Sequence, residues 1–272
     1  MKKNYLAYPY ILWLFVFILI PLFLVLFYSL SSKDSSMLTL ENYKRFIDPI
    51  YIQVFIRSIN LSLIATLICL VVGYPVAWII ANMEPAKRNF WVLLFVVPMW
   101  MNFLLRTYAW MTILENTGII NTLLEKFGFQ SLNLIYNSQA VVLGMVYNFL
   151  PFMVFPIYSI LVKIDKNLLE AAQDLGADKK SVFMKVIFPL SLPGVLSGAI
   201  MTFMPAVSTF AISRLLGGGK VTLIGNVIEQ QFLLVNDWYF GSALSIIMMS
   251  FILIFVYILR KVEKEDEERS IF

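Results

Sequence analysis

Leu169-Glu170-Ala171-Ala172-Gln173-Asp174-Leu175-Gly176 lies in a charged island between two long apolar segments. The island runs from Lys163 to Lys185 and carries two short helical patterns on either side of Gly176. Leu168 to Leu175 is rich in helix formers, and a glycine just past a helix adopts the left-handed conformation cheaply. Asp178 then caps a second helix through Ser181, Phe183 and Val186, with Pro189 at the approach to the next apolar run. Ala171 and Ala172 are small enough to let another surface come close. Glu170 and Asp174, four residues apart, share a helix face. A charged helical hairpin between apolar runs offers a soluble partner something to hold. An amphipathic loop lying on the membrane surface fits the same spacing.

The rest of the chain supplies the membrane. Of 272 residues 60% are hydrophobic, with a mean hydropathy of +0.80, above the composition of ordinary soluble domains. Ala7–Leu30 holds no charged residue and as a helix is about 36 Å long, enough to span a bilayer with tilt. Further runs are Ser58–Asn82, Phe90–Ile113, Tyr136–Val162, Leu190–Ser213 and Phe240–Leu259. The expected fold is an all-α integral membrane protein with six transmembrane helices. It forms a single domain over residues 1–272, with a core at about 58–259 and a polar loop at 163–189. Met1-Lys2-Lys3 before an apolar run also suits a signal peptide, but no small-x-small cleavage site follows.

Loop charges set the expected orientation. One side holds Lys2, Lys3, Lys87, Arg88, Lys163, Lys166, Lys179, Lys180, Lys185, Arg260, Lys261, Lys264 and Arg269. The other holds Lys33, Lys44, Arg45, Arg57, Lys126, Arg214 and Lys220. The richer side, with both termini and the island, is expected to be cytoplasmic. The net charge of +4 therefore reads as topology, not as a nucleic-acid footprint. Histidine is absent and Cys69 is the single cysteine, which excludes an internal disulfide, a Ser-His-Asp triad and a Cys-His pair. Gly217-Gly218-Gly219-Lys220 lacks the spacing of a phosphate loop and is followed by Val221. Pro21, Pro75, Pro98, Pro151, Pro156, Pro193 and Pro205 interrupt the spans. They fit either bent helices around a pathway or the ordinary abundance of proline in membrane helices.

Glu170-Ala171-Ala172-x-x-x-Gly176, followed after nine residues by Val186-x-Phe188-Pro189, resembles the EAA motif of ABC importer permeases. Val186 and Phe188 depart conservatively from that family's Ile and Leu. The resemblance implies a type I importer permease. In that family the hairpin docks on a cytoplasmic ATPase, here through Glu170, Ala171, Ala172 and Gly176. Gly73-Tyr74-Pro75, Leu150-Pro151-Phe152-Met153, Leu223-Ile224-Gly225-Asn226-Val227-Ile228 and Asp237-Trp238-x-Phe240-Gly241 extend the match. They are similar to the PotB-type permeases of spermidine/putrescine importers. That resemblance implies a multi-pass protein of the bacterial cytoplasmic (inner) membrane that is not itself an enzyme. Its implied partners are a second, PotC-like permease, a PotA-like ATPase dimer and an external PotD-like polyamine-binding protein. No cofactor is expected on this chain; ATP and Mg belong to the partner ATPase.

A polyamine calls for carboxylates and for aromatic faces that attract ammonium groups. Asp237, beside Trp238, is the first candidate and Glu115 the second, with Trp100, Tyr108 and Trp110 near the outer end. Interfacial aromatic belts and ordinary surface carboxylates give the same pattern. Arg106 lies inside a predicted span and would repel a polyamine, so a structural or interface role with a carboxylate partner is expected. Related importers carry thiamine, iron chelates or sulfate, so these remain alternative cargoes. A stand-alone secondary transporter would need acidic relays, and the six predicted spans hold no Asp or Glu. No nucleophile–base set or metal cluster supports a membrane enzyme.

Overall fold

Apolar runs of this length become helices because each peptide group then finds its hydrogen-bond partner within the run. The computed structural model describes residues 8–32 and 38–270, and its regular structure is entirely helical among the described residues. Lys2, Lys3, Lys33, Asp34 and the side chains of Lys166, Lys264 and Arg269 lie outside what is described. In chain order the helices are α1 (Tyr8–Ser29), α2 (Glu41–Phe46), α3 (Pro49–Ala81), α4 (Pro85–Trp100), α5 (Phe103–Leu114) and α6 (Ile119–Lys126). They continue as α7 (Ser138–Leu161), α8 (Lys166–Asp174), α9 (Lys179–Ser208), α10 (Ala211–Gly217), α11 (Ile224–Gln230) and α12 (Trp238–Ser270).

Among the described residues, α1, α3, α7, α9 and α12 are long and apolar enough to cross a bilayer. The third expected span, Phe90–Ile113, is not one straight helix: α4 meets the Phe103–Lys126 segment, α5 with α6, at 91°. Pro98 weakens the end of α4. Met101 is extended, and the Asn102 side chain accepts hydrogen bonds from the backbone N–H groups of Leu104 (2.8 Å) and Leu105 (3.4 Å). A new helix therefore starts where the old one fails. The fifth expected span, Leu190–Ser213, is displaced: α9 begins at Lys179 and stops at Ser208. The second helix of the island is thus the first turns of a spanning helix rather than a separate element.

Two prolines leave a further mark. Ile20 and Phe188, each just before a proline, donate to carbonyls five residues back, on Phe15 and Phe183. These single π turns widen the helix where proline removes a donor and crowds the preceding turn.

The core is built on α3, α7 and α9, which pack on one another. At the end away from the hairpin Leu61, Met145, Phe149, Ile212, Leu216 and Leu223 cluster; toward the hairpin Cys69, Tyr74, Met153, Ile157, Val182 and Ile187 do. A third cluster joins Phe203, Val207 and Ile224 to Phe240, Leu244 and Met248 of α12. Helix α1 runs beside α12 and leaves nearly all its apolar side chains exposed.

Small residues let α9 approach α7. A Cβ on Gly194 would lie 2.9 Å from the Pro156 carbonyl oxygen and 3.1 Å from Ile157 Cα; on Gly198 it would lie 3.0 Å from the Met153 carbonyl oxygen. Backbone occupies the space, so a side chain there must push the helices apart. Gly198→Leu is expected to cost about 1–3 kcal/mol by overpacking, seen as a lower melting temperature of the detergent-solubilised protein. Gly198→Ala should cost less.

Candidate functional site

The hairpin between α7 and α9 forms as the residue pattern dictates. Asp165 caps α8, accepting from the Asn167 N–H at 3.0 Å. At the other end the Gly176 N–H reaches the Gln173 carbonyl (2.8 Å) and the Ala177 N–H the Ala172 carbonyl (3.0 Å). Gly176 has φ +85°, so this is the paired closure that glycine permits after a helix. Asp178 caps α9, accepting from the Ser181 N–H at 3.2 Å. Hydrogen bonds from Ser181, side chain and backbone, hold the Asp178 carboxyl below its usual range. A depressed carboxyl pKa stabilises the folded state above the unfolded pKa and loses that effect as pH falls through the folded value. The cap is therefore complete at neutral pH and opens only in acid below the ordinary carboxylate range.

The four expected coupling residues divide between two faces. Glu170, Ala171 and Gly176 are exposed. Ala172 is half-buried and, with Leu169 and Ala177, packs onto the cluster of Val182, Ile187 and Leu161. It anchors the hairpin to the domain instead of lying open. Leu175, at the tip, is 90% exposed, a costly position for a leucine in water. The motif pattern does not mark it; the turn geometry does. The root of the hairpin is held by aromatic side chains: Phe183 meets Tyr74 edge-on at 5.8 Å and Trp78 at 6.0 Å, and the Tyr74 and Ser191 hydroxyls are 2.8 Å apart.

The outer candidates do not converge. Asp237 is ion-paired with Arg45 at 2.7 Å and accepts from the Phe240 N–H at 3.1 Å, capping α12. Arg45 also stacks 4.1 Å over the Phe240 ring. Asp237 lines a hollow of about 270 Å³ with Ser32, Glu41, Asn42, Arg45 and Tyr239, and none of the other five candidates lines it. Trp238 is half-exposed against Phe232. Glu115 ends α5 and accepts from the Tyr136 hydroxyl at 3.5 Å. Trp100 is 78% exposed at the α4–α5 break, Tyr108 is exposed on α5, and Trp110 packs edge-on to Tyr147 at 5.4 Å. Arg45 is the residue that sequence reasoning missed, because its partner lies 192 positions away.

The segments behind the resemblance turn out to hold the fold. Gly73 faces Leu150, Met153 and Val154. Asn226 donates to the Phe210 carbonyl (2.8 Å), accepts from the Leu223 N–H (3.0 Å) and meets the Ser213 hydroxyl. The Ile224 N–H reaches Ser58 Oγ at 2.8 Å, tying this clasp to α3.

Helices long and apolar enough to cross a bilayer, with a helical hairpin projecting from one end, give the architecture of a multi-pass membrane protein. The family model described as "Binding-protein-dependent transport system inner membrane component" matches residues 73–265, and the chain belongs to that family. PotB, the spermidine/putrescine transport system permease protein of Escherichia coli (strain K12), is 42% identical over 241 residues, covering 86% of this chain and 88% of that protein. PotB of Haemophilus influenzae is 43% identical over 269 residues, covering 93% and 94%. In fold the chain matches a bacterial ABC transporter involved in the import of the acidic polysaccharide alginate, with TM-score 0.82 and 15% identity over 97% of this chain and 96% of that one. The protein is thus a multi-pass inner-membrane permease subunit of an ABC importer complex.

Two expectations follow. Gly176→Val forces a β-branched residue into left-handed backbone and should cost about 1–2 kcal/mol, read as faster amide exchange over the last turn of α8. In a double-mutant cycle, Arg45→Gln and Asp237→Asn should couple by about 0.5–1 kcal/mol in thermal stability, as partly exposed pairs do.

Proposed function

We propose that this chain is the PotB-type permease of an ATP-driven spermidine/putrescine importer and supplies half of the translocation pathway. The observation that carries this reading is the identity of more than two-fifths to PotB proteins along nearly the whole chain. In this reading a PotC-like permease completes the pathway, a PotA-like ATPase dimer uses ATP and Mg, and a PotD-like protein delivers the polyamine from outside. Both termini and the hairpin face the cytoplasm.

The hairpin is the ATPase contact. Glu170, Ala171 and Gly176 form its outward surface, Leu175 fills an apolar socket on the ATPase, and Ala172 keeps α8 seated. Seating Leu175 removes its side chain from water, worth about 1.5–3 kcal/mol when complete. This contact needs no chemistry from the permease. The permease has only to favour different shapes when the ATPase pair is open or closed.

At the outer side Trp100 and Trp238 offer exposed aromatic faces to ammonium groups, each worth about 0.5–2 kcal/mol. Glu115 and Asp237 supply negative charge, and Trp110 supports the wall beside Tyr147. Asp237 already serves Arg45, so an ammonium at that carboxylate has to replace the guanidinium.

Glu170→Lys and Leu175→Asp are expected to abolish co-purification of the ATPase and ATP-dependent uptake. The chain should stay in the membrane with its partner permease. In vesicles carrying the intact complex, labelled spermidine or putrescine should accumulate and excess thiamine should not compete. Normal ATPase binding by both variants would end the docking assignment; thiamine uptake without polyamine uptake would end the cargo assignment.

A further inference from the structure

Helix α5 carries one cation, Arg106, and it is only 9% exposed. Its Nε has no hydrogen-bond partner. Ion pairs among the described residues join Arg45 to Asp237, Lys87 to Glu84 and Arg214 to Glu229; none includes Arg106. Beside it Thr107 is buried, and Asn148 Nδ2 lies 3.5 Å from Thr107 Oγ1, while the buried Asn148 Oδ1 has no partner. Among the described residues, therefore, no carboxylate pairs with Arg106.

An arginine this buried, with its Nε unpartnered and no counter-charge facing it among the described residues, is disfavoured. Its place on the helix gives the side from which a counter-charge can reach it. Phe103, Thr107, Trp110 and Leu114 turn toward the core, whereas Leu105, Tyr108, Ala109 and Thr112 are exposed. Arg106 stands three residues from both Phe103 and Ala109, on the seam between the two faces. A helix laid along the exposed face closes over that seam.

We propose that this face of α5 is a contact for the second membrane subunit, which places a helix Asp or Glu against the Arg106 guanidinium. Charge complementarity selects a carboxylate, whose two oxygens match the guanidinium fork. A lipid phosphate is the other anion that can reach this face, and the test below separates the two. The inference rests on the chain being one subunit of an importer complex and is independent of cargo and of the ATPase contact.

The test uses the purified complex of this chain with its second permease and ATPase. Photoreactive benzoylphenylalanine at Leu105 or Tyr108 should give an adduct with the second permease, mapping by mass spectrometry to a helix that carries Asp or Glu. Arg106→Glu should lower recovery of that permease in a pull-down about tenfold while this chain remains in the membrane. Changing the mapped carboxylate to Lys should restore recovery. Adducts confined to lipid or to this chain, or full assembly of Arg106→Glu, would overturn the inference. If Arg106→Glu does not accumulate, the photo-adduct, formed with Arg106 in place, decides. Failure of the unmodified chain to bring down any second permease would instead overturn the subunit reading itself.

Discussion

Lipid offers no hydrogen bonds, and every irregularity in this chain is shaped by that constraint. Where α4 stops, the Asn102 side chain takes the first free N–H groups of α5. Where α9 stops, Asn226 takes the Phe210 carbonyl and Ser58 takes the Ile224 N–H. Where prolines enter α1 and α9, a single wide turn carries the hydrogen bonding past them. Short polar side chains at these points hold the fold together more than their number suggests. The alternative at each is an unpaired peptide group in hydrocarbon, a loss of several kcal/mol.

The sequence made the long elements legible and hid the breaks. Uninterrupted apolar runs announce α1, α3, α7 and α12, because length and polarity alone decide a crossing. They cannot show that Pro98 ends a helix while Pro75, Pro151 and Pro156 stay inside theirs. The difference lies in Asn102, which offers α5 a new start. The hairpin's turn and second cap were readable, since Gly176 and Asp178 act on backbone within three residues of themselves; the Asp165 cap of α8 was not read. The outer candidates were less legible. Asp237 looked available until the fold brought Arg45 to it, and no local pattern encodes a partner so remote. Ala172 belongs to the motif by position and to the core by orientation, which spacing does not resolve.

A fold matching this one at TM-score 0.82 belongs to a transporter of an acidic polysaccharide, while the sequence relatives are named for polyamines. A shared fold does not by itself fix what passes. Exposed positions such as Trp100 can change without disturbing Gly194, Gly198 or the Asn226 clasp; buried ones cannot.

Helix α9 runs from the hairpin turn to Ser208, 30 residues or about 45 Å, with one wide turn at Phe183–Ile187 and Pro189, Pro193 and Pro205 along it. Gly194 and Gly198 sit near its middle, against α7. A long element held at its centre moves its two ends in opposite directions when it tilts. A push at the hairpin would therefore come back reversed in sign at Thr209 and the clasp beyond it.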